Sequence, residues 1–528
     1  MTLPDLRGAW TTRGLALAAG LAAALAHPPF GLLPGLLGYA VMLWLADEAA
    51  NWKSAFLRGW LAGTGYFAVG TWWVAEAFMV DAANQGWMAP FAVAFMAGGI
   101  ALFWGADMAA YRALKPQGLS RVLVFAGVFA AFEWLRGHVL TGFPWNLPGE
   151  TWRAGSAMSQ TAALVGAYGL TWITLAIAAS PVLLLDPAER PRGRWAVGGA
   201  AAALAALFSF GMAALSARPA DTPLTIRMVQ ANVPQLAKYD EASFAGIVER
   251  YVRGTVAPAA KTPDVVIWSE GAIPAAIEEY LAEGTWTRAD IQGALKPGQT
   301  LIVGAYRQEG PRYYNSLAVV RRTQDSLVPI GLYDKYRLVP FGEFLPLEPL
   351  MTRLGIKKLV HVGDGFSVGP RPAALAPPNL PGSKPLPAFQ PLICYESLYP
   401  GFTREGAART GISPRWIVNI SNDAWFGTTS GPLQHLNLAS YRAIEEGLPM
   451  VRVTPTGVSA LIDAHGRILS RLNQGREGVI DAPLPGPLAR PTLFHRLGDL
   501  PLLAFVLISL SSLALRGLAK SRNRAQDT

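Results

Sequence analysis

The chain has 528 residues, a formal net charge of +9 and 51% hydrophobic residues, with a mean hydropathy of +0.27. That length points to more than one domain, and that apolar content excludes an ordinary soluble enzyme. A single cysteine excludes both an intramolecular disulfide and a cluster of thiolate metal ligands.

The apolar excess is local. Seven apolar stretches, centred near Leu21, Gly38, Phe67, Ala97, Phe129, Leu170 and Leu204, precede a segment of mixed globular composition, and an eighth runs from about Leu500 to Leu515. Several approach the ~20 residues that cross a bilayer, so eight spans are expected. The first two are short and separated only by His27-Pro-Pro-Phe30, which leaves two tilted spans, a re-entrant hairpin or one broken helix open. No small-residue cleavage site follows the first run, which argues against a cleaved signal peptide.

Basic residues set the expected orientation. Arg7, Arg13, Lys53, Arg58, Arg112, Lys115, Arg121, Arg190, Arg192, Arg194 and the tail residues Arg516, Lys520, Arg522 and Arg524 fall on one side, whereas the opposite loops hold only Arg136 and Arg153. The positive-inside rule then predicts both termini in the cytoplasm and the globular segment on the outer side, the periplasm of a bacterium. The positive charge reads as cytoplasmic anchoring and not as a nucleic-acid surface. The expected division is residues 1–217 as a transmembrane bundle of about seven spans, 218–488 as a periplasmic catalytic domain, and 489–528 as a last span with a basic cytoplasmic tail.

Within the globular segment, the runs 226–232, 264–268, 300–304, 316–320, 391–394, 415–420 and 450–453 are mostly rich in β-branched residues and predict strands. Segments 242–256, 274–283 and 434–447 carry apolar residues near helical spacing, and residues 458–468 predict a hairpin turning at 464–466. Strands alternating with helices predict an α/β domain with a covered sheet. The Pro-rich stretch 369–387 reads as a surface loop.

Three residues carry candidate chemistry. Cys394 ends the apolar run of Pro391-Leu-Ile-Cys-Tyr-Glu-Ser397, and by itself is either an inert packed thiol or a reactive nucleophile. Glu270 follows Val265-Val-Ile-Trp-Ser269, at the strand end where open α/β sheets place ligand crevices. Lys335 lies in Tyr333-Asp-Lys-Tyr-Arg-Leu-Val-Pro-Phe-Gly-Glu-Phe-Leu-Pro346, with charges set among aromatics and prolines. Singly, Glu270 suits a helix cap or salt bridge and Lys335 a solvated charge. Six scattered histidines offer no ligand-like spacing, so no metal site is expected.

With these residues in that chain order, the globular segment resembles the nitrilase, or carbon–nitrogen hydrolase, superfamily. With the apolar region in front, nearly the whole chain resembles the apolipoprotein N-acyltransferase family. The pieces that carry the resemblance are Ile226-Arg-Met-Val-Gln-Ala-Asn-Val-Pro-Gln235, Leu338-Val-Pro-Phe-Gly-Glu-Phe-Leu-Pro346, Ile393-Cys-Tyr-Glu396, Ile420-Ser-Asn-Asp-Ala-Trp-Phe-Gly427 and Thr141-Gly-Phe-Pro-Trp145. Where relatives commonly read Trp-Pro-Glu-Ser, this chain has Trp268-Ser-Glu-Gly271, and Lys238-Tyr239-Asp240 occupies a place where some relatives have Trp.

The resemblance implies an αββα sandwich joined to the membrane region, with Glu270 as base, Lys335 as oxyanion donor and Cys394 as nucleophile. It also implies a phospholipid acyl donor, a Cys394 thioester, and a diacylglyceryl apolipoprotein whose α-amine accepts the chain, with no metal or cofactor and with a monomer sufficing. Glu343, Tyr395 and Glu396 stand close to these residues in sequence, to orient Lys335, bias the amine or close the pocket, or else to satisfy buried backbone donors. Tyr239 is a candidate lipid contact. Arg136, with His138 and Trp145, is a candidate for a headgroup phosphate or for anchoring its loop to the outer domain. Segment 344–360, apolar with Lys357 and Lys358, reads either as an interfacial lid or as a helix packed on the sheet.

Two alternatives stand against the acyltransferase. A membrane-tethered amidase would use the same three residues with water as acceptor. A transporter leaves the outer domain without a role, and its spans would hold few ionisable residues apart from Glu133.

Overall fold

The computed structural model describes residues 8–217, 219–353 and 365–526. The chain divides into two compact units, one running to Ala217 and resuming at Thr492, the other ending at Pro491.

The first unit is helical. Among the described residues, Ala82–Leu114, Ser120–Thr141, Met158–Leu184 and Arg190–Ser216 are long and apolar enough to cross a membrane. The other expected spans are shorter or less apolar: Ala9–Leu25 has 17 residues, Leu37–Asp47 has 11, and Trp52–Gly70, with 19, takes in Lys53 and Arg58. Length and composition therefore support four spans and leave the count of eight unsupported. Ala9–Leu25 and Leu37–Asp47 pack antiparallel, with Gly38 against the Ala19 carbonyl and Gly35 against that of Ala22. A side chain at either glycine would collide with backbone, so small residues permit the approach, and a single broken helix is excluded. An aromatic cluster fills the interior, with the Trp104 ring 4.5 Å from Tyr66 and 4.8 Å from Phe129. The final helix rejoins this bundle where Trp172 Nε1 donates to Ser509 Oγ at 3.0 Å and Trp134 Nε1 to Asp499 Oδ2 at 2.9 Å.

The second unit is a two-sheet sandwich. Its strands are β1 (Asp221–Gln230), β2 (Val265–Trp268), β3 (Thr300–Glu309), β4 (Arg312–Arg322), β5 (Leu327–Asp334), β6 (Phe389–Ile393), β7 (Trp416–Ile420), β8 (Met450–Val453), β9 (Ser459–Ile462), β10 (Ile468–Leu472) and β11 (Gly478–Pro485). One sheet runs β11-β1-β2-β3-β4-β5 and the other β10-β9-β8-β7-β6. The two-residue period of a strand divides each face. Ile226, Met228, Ile267 and Ile302 point into the core shared with Ile393, Val418, Ile420 and Val453 of the other sheet. Val229, Val266, Trp268 and Leu301 point the opposite way, onto helices Phe244–Val256 and Trp286–Ala294.

One local reading needs correction, and two strands are absent from the expected set. Residues 274–283 contain only one helical turn, Ile277–Tyr280; the longer helix follows it, capped by Thr285, whose side chain accepts from Arg288 N. Strand β5 escapes a propensity reading because it contains Pro329 and Gly331, which an edge strand tolerates. Strand β11 mixes Asp481 with prolines and pairs antiparallel with β1 across a long sequence separation.

Candidate active site

Three strand ends place the candidate residues. Glu270 stands two residues past β2, whose Trp268 packs 4.9 Å from the Tyr251 ring and donates to Thr255 Oγ1 at 3.0 Å. Lys335 directly follows β5, and its N–H donates to the Asn315 carbonyl on β4 at 2.8 Å. Cys394 directly follows β6, opening the tight turn Cys394–Leu398 with φ +49°. A non-glycine residue in the left-handed region costs on the order of 1–2 kcal/mol, and here it turns the thiol out of the strand.

The structure brings the three together with Glu343. Lys335 Nζ donates to Glu270 Oε1 at 3.2 Å and to Glu343 Oε1 at 2.9 Å. Asn315 Nδ2 donates to the same two oxygens, at 2.6 and 2.8 Å. Glu343 Oε2 accepts from Val339 N at 2.8 Å, closing the loop around the lysine. Lys335 is 1% exposed and Glu270 5%, yet Glu270 Oε2 has no hydrogen-bond partner among the described residues. The carboxylate is thus held by one oxygen. A cavity of about 450 Å³ adjoins the cluster, lined in part by Tyr306, Glu343 and Phe366.

Charge sets the resting state of each group. Burial pushes the Cys394 thiol up, and Glu270 pushes it further, to about 12, against the pull of Lys335 and a hydrogen bond from Ser421. The thiol is therefore neutral at pH 7 and needs a base before it can attack. Burial alone would lower Lys335, but Glu270, Glu343 and Cys394 outweigh it and hold the amine above its ordinary range, as ammonium. A carboxylate bonded to an ammonium, with both acting on the charge of a nearby thiol, is an arrangement compatible with acyl transfer through a covalent intermediate.

Comparison with known proteins converges on one family. Residues 19–180 match the family model described as the apolipoprotein N-acyltransferase N-terminal domain, and residues 225–492 the one described as carbon-nitrogen hydrolase. The chain is 56% identical over 512 residues to the apolipoprotein N-acyltransferase of Caulobacter vibrioides, covering 95% of this chain and 94% of that protein. It is 38% identical to those of Rhodopseudomonas palustris, covering 95% and 94%, and Bradyrhizobium diazoefficiens, covering 96% and 94%. The chain belongs to the apolipoprotein N-acyltransferase family.

For a member of this family, the remaining candidate positions separate cleanly. Glu343 grips Lys335 and orients it. Glu396 is 0% exposed and serves structure: its oxygens accept from Tyr333 OH at 2.7 Å, Tyr336 N at 2.8 Å, Arg337 N at 3.2 Å and Ile393 N at 2.8 Å. Burial pushes its carboxyl up to about 7 against these donors. It fastens the Lys335 loop to the Cys394 turn. Tyr395 is buried, its ring edge-on to Tyr399 at 5.3 Å. Tyr239 is 66% exposed, and its hydroxyl accepts from Gln235 Nε2 at 3.1 Å.

Arg136 does not fit a headgroup site. It is 2% exposed, bonds Glu133 through Nε at 3.1 Å and Nη2 at 2.5 Å, and donates from Nη1 to the carbonyls of Phe143 and Trp145. It anchors the 143–145 loop to its own helix. Of the lid-like segment, Glu348–Arg353 is a short helix with Leu347 exposed before it, and Leu354, Ile356, Lys357, Lys358 and Leu359 lie outside the described residues.

Sequence reasoning missed the supports behind these groups. Asn315 is a polar residue followed by Ser316 ahead of an apolar strand run, a break in pattern that marks an inward polar group. Behind Cys394, His435 Nδ1 lies 3.0 Å from Asp423 Oδ1 and its Nε2 3.3 Å from the Cys394 carbonyl. Arg452 Nη2 donates to Asp423 Oδ2 at 2.7 Å. Burial would raise Asp423, but Arg452 and His435 hold it below the carboxylate range, giving the Cys394 turn an ionic backing.

Proposed function

We propose that this chain transfers an acyl chain from a membrane phospholipid, through a thioester on Cys394, to the α-amine of the N-terminal diacylglyceryl-cysteine of apolipoproteins. The observation that carries this reading is the buried Glu270 carboxylate, with one oxygen fixed by Lys335 and Asn315 and the other unpartnered among the described residues, near a neutral thiol. The name of relatives matched over nearly the full length, apolipoprotein N-acyltransferase, supports the acceptor and the N-acylation, and the phospholipid donor follows from the family resemblance. The orientation expected from the basic loops would set the sandwich on the periplasmic side of a bacterial inner membrane.

In the first half-reaction Glu270 takes the Cys394 proton as sulfur attacks the ester carbonyl. Lys335 donates to the resulting oxyanion, a stabilisation worth about 3–4 kcal/mol for one donor in other enzymes. Collapse breaks the ester C–O bond, the proton passes from Glu270 to the leaving oxygen, and a lysophospholipid departs. In the second, the neutral amine attacks the thioester, Glu270 takes its proton and returns it to sulfur, and the amide is formed. The same groups with water as acceptor would make an amidase, which the acyltransferase names of the relatives disfavour.

Purified protein given labelled phospholipid and a diacylglyceryl-cysteinyl peptide is expected to yield N-acyl peptide and lysophospholipid in equal amounts. Release of ammonia from simple amides, with no acylated peptide, would establish the hydrolase instead.

A further inference from the structure

Lys238 lies on a short helical turn, Leu236–Tyr239, that follows β1. Its neighbours look outward: Tyr239 is 66% exposed, and Asp240 accepts from Ala242 N at 3.1 Å and Ser243 Oγ at 2.6 Å. Lys238 instead turns in. It is only 8% exposed, and its Nζ is buried without a hydrogen-bond partner among the described residues. An ammonium so placed is costly unless something nearby compensates its charge.

The compensating charge is the proposed catalytic base. The amine reaches the turn just past Glu270, where a Cβ on Gly271 would lie 3.6 Å from Nζ and 3.0 Å from the Tyr306 hydroxyl. Of the titratable groups around it, Tyr306 faces it from β3, and Glu270 is the one whose charge acts on it. Lys238 makes no ion pair among the described residues, so its effect is a field acting through a buried, weakly screened interior.

Counting charge gives that field a purpose. Glu270 and Glu343 share a single ammonium, Lys335, which leaves the trio with one negative charge in excess when both carboxylates are ionised. A second cation beside that excess offsets it in a weakly screened interior. A proton on Glu270 would remove the acceptor that the thiol needs.

We propose that Lys238 is a positioning residue for acyl transfer, a second buried ammonium that balances the Glu270–Lys335–Glu343 cluster and keeps Glu270 ionised and ready for the thiol proton. This rests on the reading of Glu270 as base. Burial lowers Lys238 to about 8, against the attraction of Glu270, so the balancing charge is present at neutral pH and fades only in alkali.

The test is the pH dependence of thioester formation in single turnover, with full-length protein in mixed micelles of detergent and labelled phospholipid. Lys238→Met keeps the length of the side chain and removes its charge. The expected result is an acid limb displaced upward by about one pH unit, so that the rate falls up to about tenfold below wild type at the acid end of the profile. The two rates converge above about pH 8, where Lys238 itself loses its proton, and KM for phospholipid is unchanged. Lys238→Arg, still charged, is expected to keep the wild-type acid limb. A Met variant whose profile keeps the wild-type shape, a deficit that persists in alkali, or a loss confined to KM would overturn the proposal. Failure of wild type itself to form a thioester would instead remove the reading of Glu270 on which it rests.

Discussion

Each unit of this chain buries a charged cluster, and the two clusters are finished differently. In the helical unit, Glu133 takes Trp104 Nε1 at 2.9 Å and both sides of the Arg136 guanidinium, while Arg136 also holds two loop carbonyls. In the sandwich, Lys335 and Asn315 satisfy one oxygen of Glu270, and the other oxygen, Asn315 Oδ1 and Lys238 Nζ are buried without hydrogen-bond partners among the described residues. A saturated buried pair fixes geometry. One with open valences keeps capacity for a proton or a substrate atom, at a cost in stability that an inert core would not carry.

Three substitutions or measurements bear on this contrast. Glu270→Gln keeps the shape and the hydrogen bonds to Oε1 but removes the proton acceptor; thioester formation should fall by roughly 10²–10⁴-fold with the thermal midpoint little changed. Substantial residual acylation would place the base elsewhere. Arg136→Met leaves Glu133 buried and unpaired, and should cost roughly 3–5 kcal/mol of stability, read by thermal unfolding in detergent, with KM for phospholipid unaltered. An intact midpoint with a raised KM would return Arg136 to the headgroup role. The smallest effect concerns the resting thiol. With Cys394 held up at about 12, the thiolate fraction grows about tenfold per pH unit through the neutral and mildly alkaline range, and alkylation by iodoacetamide should follow it. A plateau near pH 7 would reveal a preformed thiolate that has no need of Glu270 at the moment of attack.

Much of the catalytic geometry is legible before any coordinates. Cys394 and Glu270 each stand just past a short apolar run, and strand ends are where a sheet exposes side chains to a crevice. Lys335 shows no such run, because β5 is disguised by Pro329 and Gly331, and its place beside the others comes from family motifs. Asn315 and Lys238 are invisible for a different reason. Asn315 bonds Glu270 across 45 residues of chain and Lys238 acts on it electrostatically across 32, and nothing local distinguishes a lysine that turns inward from one in solvent. Arg136 was misplaced by the same ambiguity: loop position suggests exposure, whereas Glu133 one helical turn earlier draws the guanidinium into the bundle.

Mass spectrometry of the Cys394 peptide, after full-length protein is incubated with phospholipid and no acceptor, tests the central claim most directly. The account predicts one added acyl group on that peptide, lost on treatment with neutral hydroxylamine and on addition of the lipopeptide amine. An unmodified Cys394 under conditions where the acyl chain still reaches the amine would contradict it.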